Sequence, residues 1–300
     1  MIDIHELTKL FCQIDDFHRE FEQHSQQCRL PTQHKKRGPA CGLSVPEIMT
    51  LMVCFQHMQF RHFKAFYRYV SSVWKDCFPS LPSYQRLIEI IKLALLPLVI
   101  FIQVHSGRKT GIYYIDSTAL SACHIKRSSR HKVFEGLAEY GKTSVGWFFG
   151  LKLHLVVNQH AQLIAFRLTR GNKHDASQAE GMLESLKGLA FGDKGYIGKE
   201  LFEKLIGKGL KLITRKRKNM KDIQLLSTYE KQLLNQRGII ETVIDHLKHH
   251  YYIWHTRHRS IINAMTHLVA ALAAYSIDPS RAEAVKLIAN QKNQLEQTPN

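Results

Sequence analysis

Residues 111–118 read GIYYIDST and residues 188–196 read GLAFGDKGY. Each is a short apolar run that ends in an aspartate and then breaks into small or polar residues. That is the pattern of a buried strand delivering an acid at its C-terminal end. Asp116 closes the first run and Asp193 the second, and Gly192 and Gly195 let the backbone around Asp193 come close to a neighbour. Open α/β sheets place their functional groups at such strand ends. On neighbouring strands, the two acids would lie within reach of one divalent ion, and a hard cation such as magnesium shares its oxygen ligands with substrate phosphates.

Working outward from these strands, β-rich runs recur at Trp147 to Val157 and Leu163 to Thr169, and a helix is expected after Asp175. A second helix from Lys199 to Ile206 and a strand from Lys211 to Thr214 follow, then a long helix from about Thr228 to His250 and an apolar stretch from Ile261 to Ile277. Strands interleaved with helices predict a mixed sheet with helical cover. This α/β unit spans residues 107–280, and a polar tail occupies 281–300. Residues 1–106 read instead as all-helical. Ile4, Leu7, Leu10, Phe11, Ile14, Phe17 and Phe21 repeat at three and four, which predicts a helix to about His24. A basic loop, RLPTQHKKRGPACG, fills residues 29–42. Ser44 and Glu47 then have capping-box spacing, with Pro46 in the first turn. A third helix covers His62 to Trp74, and after FPSLPS at 78–83, Ser83 caps a helix from Tyr84 to about Val104.

Charge narrows the function. The chain has 42 Lys and Arg against 25 Asp and Glu, a net +17, with 18 His besides. Such a surface favours a polyanion. A membrane is the weaker candidate, because the most apolar stretch, Leu93 to Ile102, is half the length of a spanning helix and contains Pro97. The N-terminus, MIDIHELTKLF, has acids where a signal peptide has bases, so a cytoplasmic protein is expected. The six cysteines form no C-x-x-C pair. Cys28, Cys41 and Cys54 recur every thirteen residues around His34, too widely for the usual zinc-ligand pairs, so free thiols are expected.

A third acid stands out on the long helix. Arg237, Glu241 and Lys248 are four and seven residues apart and share a helix face, and Glu241 interrupts the apolar run Ile239, Ile240, Val243, Ile244. Alone, Arg237 and Glu241 would be an i,i+4 ion pair worth a few tenths of a kcal/mol. Asp245 lies one turn further along. Asp175 follows Gly171-Asn-Lys-His and precedes a helix, which reads as an N-cap.

The order Asp116, Asp193, Glu241, with GDKGY at the second acid and R-x-x-x-E-x-x-x-x-x-x-K at the third, resembles the DDE transposases of bacterial insertion sequences. The match runs from about Gly111 to Tyr252. The helical N-terminus and the YIDST strand are most similar to the group named after insertion sequence nine-eighty-two. The resemblance implies a ribonuclease-H-like core, with two magnesium ions, replaceable by manganese, held by Asp116, Asp193 and Glu241. It also implies phosphate contacts from Arg237 and Lys248. Related transposases often carry a Tyr three residues before the Arg; here that position is Leu234, and Tyr229 or Tyr251 could supply the contact.

The implied function is metal-dependent cleavage of DNA at the ends of an insertion sequence and joining of the 3′-hydroxyls to target DNA. The protein would act as a homodimer or larger assembly near the bacterial nucleoid. Two alternatives are a non-catalytic DNA-binding regulator derived from a transposase and a metal-dependent nuclease without strand transfer. DNA-backbone contacts are expected from Lys126, Arg127, Arg130, Lys132, Arg215, Arg217, Arg257 and Arg259. The helices either side of FPSLPS look like a helix-turn-helix, with Gln85 and Arg86 where base readers sit. Trp147, Phe148 and Phe149 are expected in the core.

Overall fold

The structure, a computed structural model, describes residues 2–27, 42–215, 226–254 and 258–279. The basic loop with Cys28, His34 and Cys41, the candidates Arg217 and Arg257, and the tail 281–300 lie outside the described residues.

The chain divides into two compact units. The first comprises residues 1–104 and 258–277. Its helices are α1 (Ile4–Gln27), α2 (Val45–His57), α3 (Phe63–Val73), α4 (Tyr84–Ile90) and α5 (Leu95–Val104), joined late in the chain by a helix at Ile261–Ile277. The expected capping box is present on α2: the Ser44 side chain accepts from the Glu47 N–H, and the Glu47 carboxylate accepts from the Ser44 N–H at 2.6 Å. Between α4 and α5 the helix tightens into a 3-10 turn at Ile91–Ala94. Pro97 explains this, since its ring clashes with the carbonyl four residues back and it has no N–H to donate. The whole segment Tyr84–Val104 is 21 residues and, by length and composition, apolar enough to cross a membrane, which corrects the ten-residue reading. Within its unit it is a core element, with Leu87, Ile90, Ile91, Ala94, Leu98, Phe101 and Ile102 all buried.

Two further expectations for this unit change. The connection from α3 to α4, residues 74–83, is ten residues long, whereas a helix-turn-helix joins its helices by three or four. Gln85 and Arg86 are exposed, and Arg86 is engaged by Glu89 at 2.8 Å. The helix Ile261–Ile277, expected in the α/β unit, packs instead on α2 and α5. Its Ala270, Ala271, Ala273 and Ala274 are buried, and such small side chains let helix backbones approach closely. The Gln56 amide donates to the His267 carbonyl at 3.2 Å, and the Asn263 amide to that of Ile88 at 3.0 Å.

The second unit, the described residues between 105 and 254 with 278–279, is built on a mixed sheet. Its strands are β1 (Ile112–Cys123), β2 (Glu139–Thr143), β3 (Gly146–Asn158), β4 (Leu163–Arg170), β5 (Gly188–Gly192) and β6 (Leu210–Thr214). β3 runs antiparallel to β1, β2 and β4, while β5 and β6 run parallel to β1, so the path across the sheet is β4-β3-β1-β5-β6, with β2 extending β3 at its other end. Helices α6 (Asp175–Leu183) and α7 (Lys199–Gly207) cover one face, where Tyr113, Ile115, Val156, Ala190 and Leu212 join Ala179, Met182, Leu183, Leu201 and Leu205 in one apolar cluster. By strand alternation Tyr114 and Asp116 point to the other face, towards α8 (Thr228–Asn235) and α9 (Gly238–His249). Gly188 opens β5 at φ 109°, and a Cβ there would stand 2.2 Å from the Gly111 carbonyl oxygen, so only glycine permits β1 and β5 to start side by side.

The strand β2 was missed in the sequence, and Trp147, expected in the core, is 63% exposed beside the β2–β3 turn, while Phe148 is buried. Side chains alternate along β3, so only one of two successive aromatics can face inward.

Because its last helix, α10 (Ile261–Ile277), comes after the α/β unit, the helical unit should not fold from residues 1–104 alone. That fragment should melt without a cooperative transition and bind a hydrophobic dye, and linking residues 258–279 to it should restore a sharp transition in circular dichroism.

Candidate active site

Asp116 projects from the middle of β1, opposite Leu155 of β3. The expectation that this acid closes its strand is corrected: the antiparallel partner carries β1 on to Cys123. The parallel partner stops sooner. The last β1–β5 pair is Tyr114 with Phe191, so Asp116 and Asp193 each stand two positions beyond it, at the open end of the parallel pair. Asp193 is exposed and leads into a 3-10 turn, Lys194–Tyr196. The Tyr196 ring folds back over Gly192, where an added Cβ would meet it at 3.0 Å.

The helix expected from Thr228 to His250 is broken in two. The α8 helix ends at Asn235, Arg237 takes the N-cap position of α9, and Glu241 falls in the first turn of α9, where the helix dipole favours a carboxylate. α9 packs on β1. Arg237 Nη1 reaches Asp116 Oδ2 at 3.2 Å, and its Nη2 makes a close ion pair with Glu241 Oε1. The guanidinium is therefore a clamp between the first acid and the third. The bland reading of Arg237 and Glu241 as an isolated surface pair fails on this contact, because Arg237 is only 13% exposed and holds a carboxylate 121 residues away in sequence.

Asp116 is raised to about 6, first by burial; the Ser117 N–H, donating at 2.7 Å, and Arg237 pull it down, while the fields of Asp193 and Glu241 push it up. The fields of both other acids thus reach Asp116 at this end of the sheet. Among the described residues no group of three His, Cys, Asp or Glu side chains is arranged to hold a metal ion, and Arg237 is bonded to two of the three carboxylates. The donor set itself, carboxylate oxygens on three separate elements, is of the kind a hard divalent cation takes.

Lys248, two turns beyond Glu241 on α9, is half-buried and makes no ion pair among the described residues. Leu234 is buried, Tyr229 is exposed, and the Tyr251 hydroxyl is committed to Asp278 at 3.0 Å. Lys126, Arg127, Arg130 and Lys132 are exposed on and after the 3-10 segment Ile125–Arg130, Arg215 is exposed after β6, and Arg259 is exposed in the other unit. Sequence reasoning missed Asp175. Its neighbour His174 holds the N-cap position, with no side-chain cap. The Asp175 carboxylate instead accepts from Ser117 Oγ at 2.8 Å and Lys152 Nζ at 3.2 Å.

A carboxyl raised on folding contributes stability that is fully present below its unfolded value, near 3.8, and lost as pH rises through about 6. At about 1.36 kcal/mol per unit, the upper figure is roughly 3 kcal/mol. Metal-free protein should therefore lose stability between pH 4 and 6.5, whereas Asp116→Asn should not. In urea unfolding at pH 7.5 the variant should be more stable by about 1–3 kcal/mol; a less stable variant would mean that the Arg237 clamp outweighs the cost of burying the charge.

The family described as Transposase DDE domain matches residues 106–261, a span that holds Asp116, Asp193, Arg237, Glu241 and Lys248. No curated protein matches the chain. Among solved structures it is similar to the piggyBac transposase in a cryo-electron-microscopy structure of its synaptic complex with hairpin DNA, at 11% identity and a TM-score of 0.48, over 100% of this chain and 83% of that one. Since the family match takes in more than half of the 300 residues, including both strands that deliver the aspartates and the helix that delivers the glutamate, the chain belongs to the transposase DDE domain family.

Proposed function

We propose that this protein cuts DNA at the ends of a bacterial insertion sequence, of the group named after insertion sequence nine-eighty-two, and joins the freed 3′-hydroxyls to target DNA. The observation that carries the reading is the arrival of Asp116, Asp193 and Glu241 at one end of the β1–β5 pair. The strand path β4-β3-β1-β5-β6, with β3 reversed, supports a ribonuclease-H-like core.

Asp116, Asp193 and Glu241 would hold two divalent ions, magnesium with manganese as a substitute. Such ions, when bound, activate a water or a 3′-hydroxyl on one side of the phosphorus and stabilise the leaving oxygen on the other. Arg237 keeps Asp116 and Glu241 paired until then, and a guanidinium released from carboxylates is suited to grip phosphate through two parallel hydrogen bonds. Lys248, on the same helix, supplies a positive charge for the phosphate flanking the scissile bond. The basic residues from Lys126 to Lys132, with Arg215 and Arg259, follow the DNA backbone, and the helical unit recognises the terminal repeats. The active form is a homodimer or larger assembly on DNA in the cytoplasm.

Asp116→Asn, Asp193→Asn and Glu241→Gln should each abolish cleavage and joining with magnesium while end binding in a gel shift stays nearly intact. An active variant would remove that residue from the site, and two would sink the mechanism.

Lys248→Ala should slow joining about ten- to a hundredfold, the size of a positioned charged contact, and Lys248→Arg should recover part of it. A folded Lys248→Ala protein with wild-type joining rates would reduce Lys248 to a surface lysine.

A further inference from the structure

We infer that Asp175 is a positioning residue that fixes the segments carrying both catalytic aspartates; the inference rests on the transposase reading above. The carboxylate bonds to the segment of the first aspartate and lies near the turn that follows the second. On one side it accepts from Ser117 Oγ at 2.8 Å, and the same Ser117 donates its backbone N–H to Asp116 Oδ1 at 2.7 Å. Ser117 thus ties Asp116 to Asp175 through two different donors. On the other side, a Cβ built on Gly195 would lie 3.5 Å from Asp175 Oδ2, an ordinary packing distance. Gly195 lies in the turn that follows Asp193, and α6 packs on that turn.

The Tyr196 hydroxyl in that turn registers the juxtaposition, since its ionisation is pushed up by burial and then by the fields of Asp116 and Asp175. Asp175 itself is held from β3. Lys152, only 12% exposed, pairs with it at 3.2 Å and also donates to the Lys173 carbonyl at 3.2 Å. His154, fully buried, sets Nδ1 at 3.8 Å from Asp175 Oδ1 and Nε2 at 2.9 Å from Thr169 Oγ1.

This cluster does little for stability. Taking Lys152, His154 and Asp175 out of water costs desolvation that well-packed apolar side chains would not incur, and His154 Nδ1 is buried without a hydrogen-bond partner. What the charges accomplish is placement: an anchor on α6, gripped from β3, that binds Ser117 beside the first aspartate and sets the turn beside the second. Residues that orient metal-binding carboxylates through hydrogen bonds typically matter ten- to a hundredfold for metal affinity or activity.

The test uses the full chain and compares Asp175→Ala, Asp175→Asn and Ser117→Ala with wild type. Three quantities are read: single-turnover cleavage of duplexes carrying the DNA that flanks the gene, Mn2+ affinity by calorimetry, and melting temperature. Asp175→Ala should cleave about ten- to a hundredfold more slowly and bind Mn2+ about tenfold more weakly, with a lower melting temperature because Lys152 loses its partner. Asp175→Asn should recover part of both, since the amide oxygen still accepts from Ser117, and Ser117→Ala should lose that part. Asp175→Ala with wild-type cleavage and Mn2+ affinity overturns the inference, provided Asp116→Asn is dead. So does an unstable Asp175→Ala beside an Asp175→Asn that matches wild type in all three readouts, because the role is then purely structural. Wild-type protein that neither cleaves nor binds Mn2+ overturns the transposase reading instead.

Discussion

The burial of Asp116 beside two further acids, Asp193 and Glu241, is the constraint on which this end of the sheet depends. Burial raises the proton affinity of a carboxyl and neighbouring negative charge adds to it, and at Asp116 the Ser117 N–H and one guanidinium work against both. Arg237 stands at the head of α9, where it reaches Asp116 of β1 and Glu241 one turn further on. Arg237 has a carboxylate on each side, so losing Asp116 leaves it paired with Glu241.

Much of this was legible in the sequence because the informative patterns were local. The capping box at Ser44 and Glu47 needs only four residues. The strands that lead into Asp116 and Asp193 announce themselves by continuous apolar runs, as buried central strands do. The rest was hidden where the cause lies far away in sequence. β2, Glu139 to Thr143, reads EYGKT, which has no apolar alternation, and it is a strand only because β3 offers it an edge. Asp116 looked like a strand terminus because the apolar run stops there, yet β3 holds β1 in register for longer. The break at Gln236 and Arg237 left the helical period almost undisturbed. Asp175 met every local criterion for a cap, and only the placement of Ser117 and Lys152 across the sheet shows its real partners. The apolar character of α10 foretold burial, but a helix apolar all round does not say which neighbours bury it.

The late arrival of α10 has a consequence for how the chain is made. A ribosome releases the first five helices before any of the sheet, at roughly 5–20 residues per second, so residues 105–257 occupy about eight to thirty seconds of synthesis at that pace. Throughout that interval the helical unit lacks the element that fills its core, and its apolar faces await a partner not yet translated. Assembly of the helical unit is thus coupled to completion of the catalytic one: the last helix arrives only after Asp116, Asp193 and Glu241 have all left the ribosome. A nascent or prematurely terminated chain therefore lacks a finished helical unit.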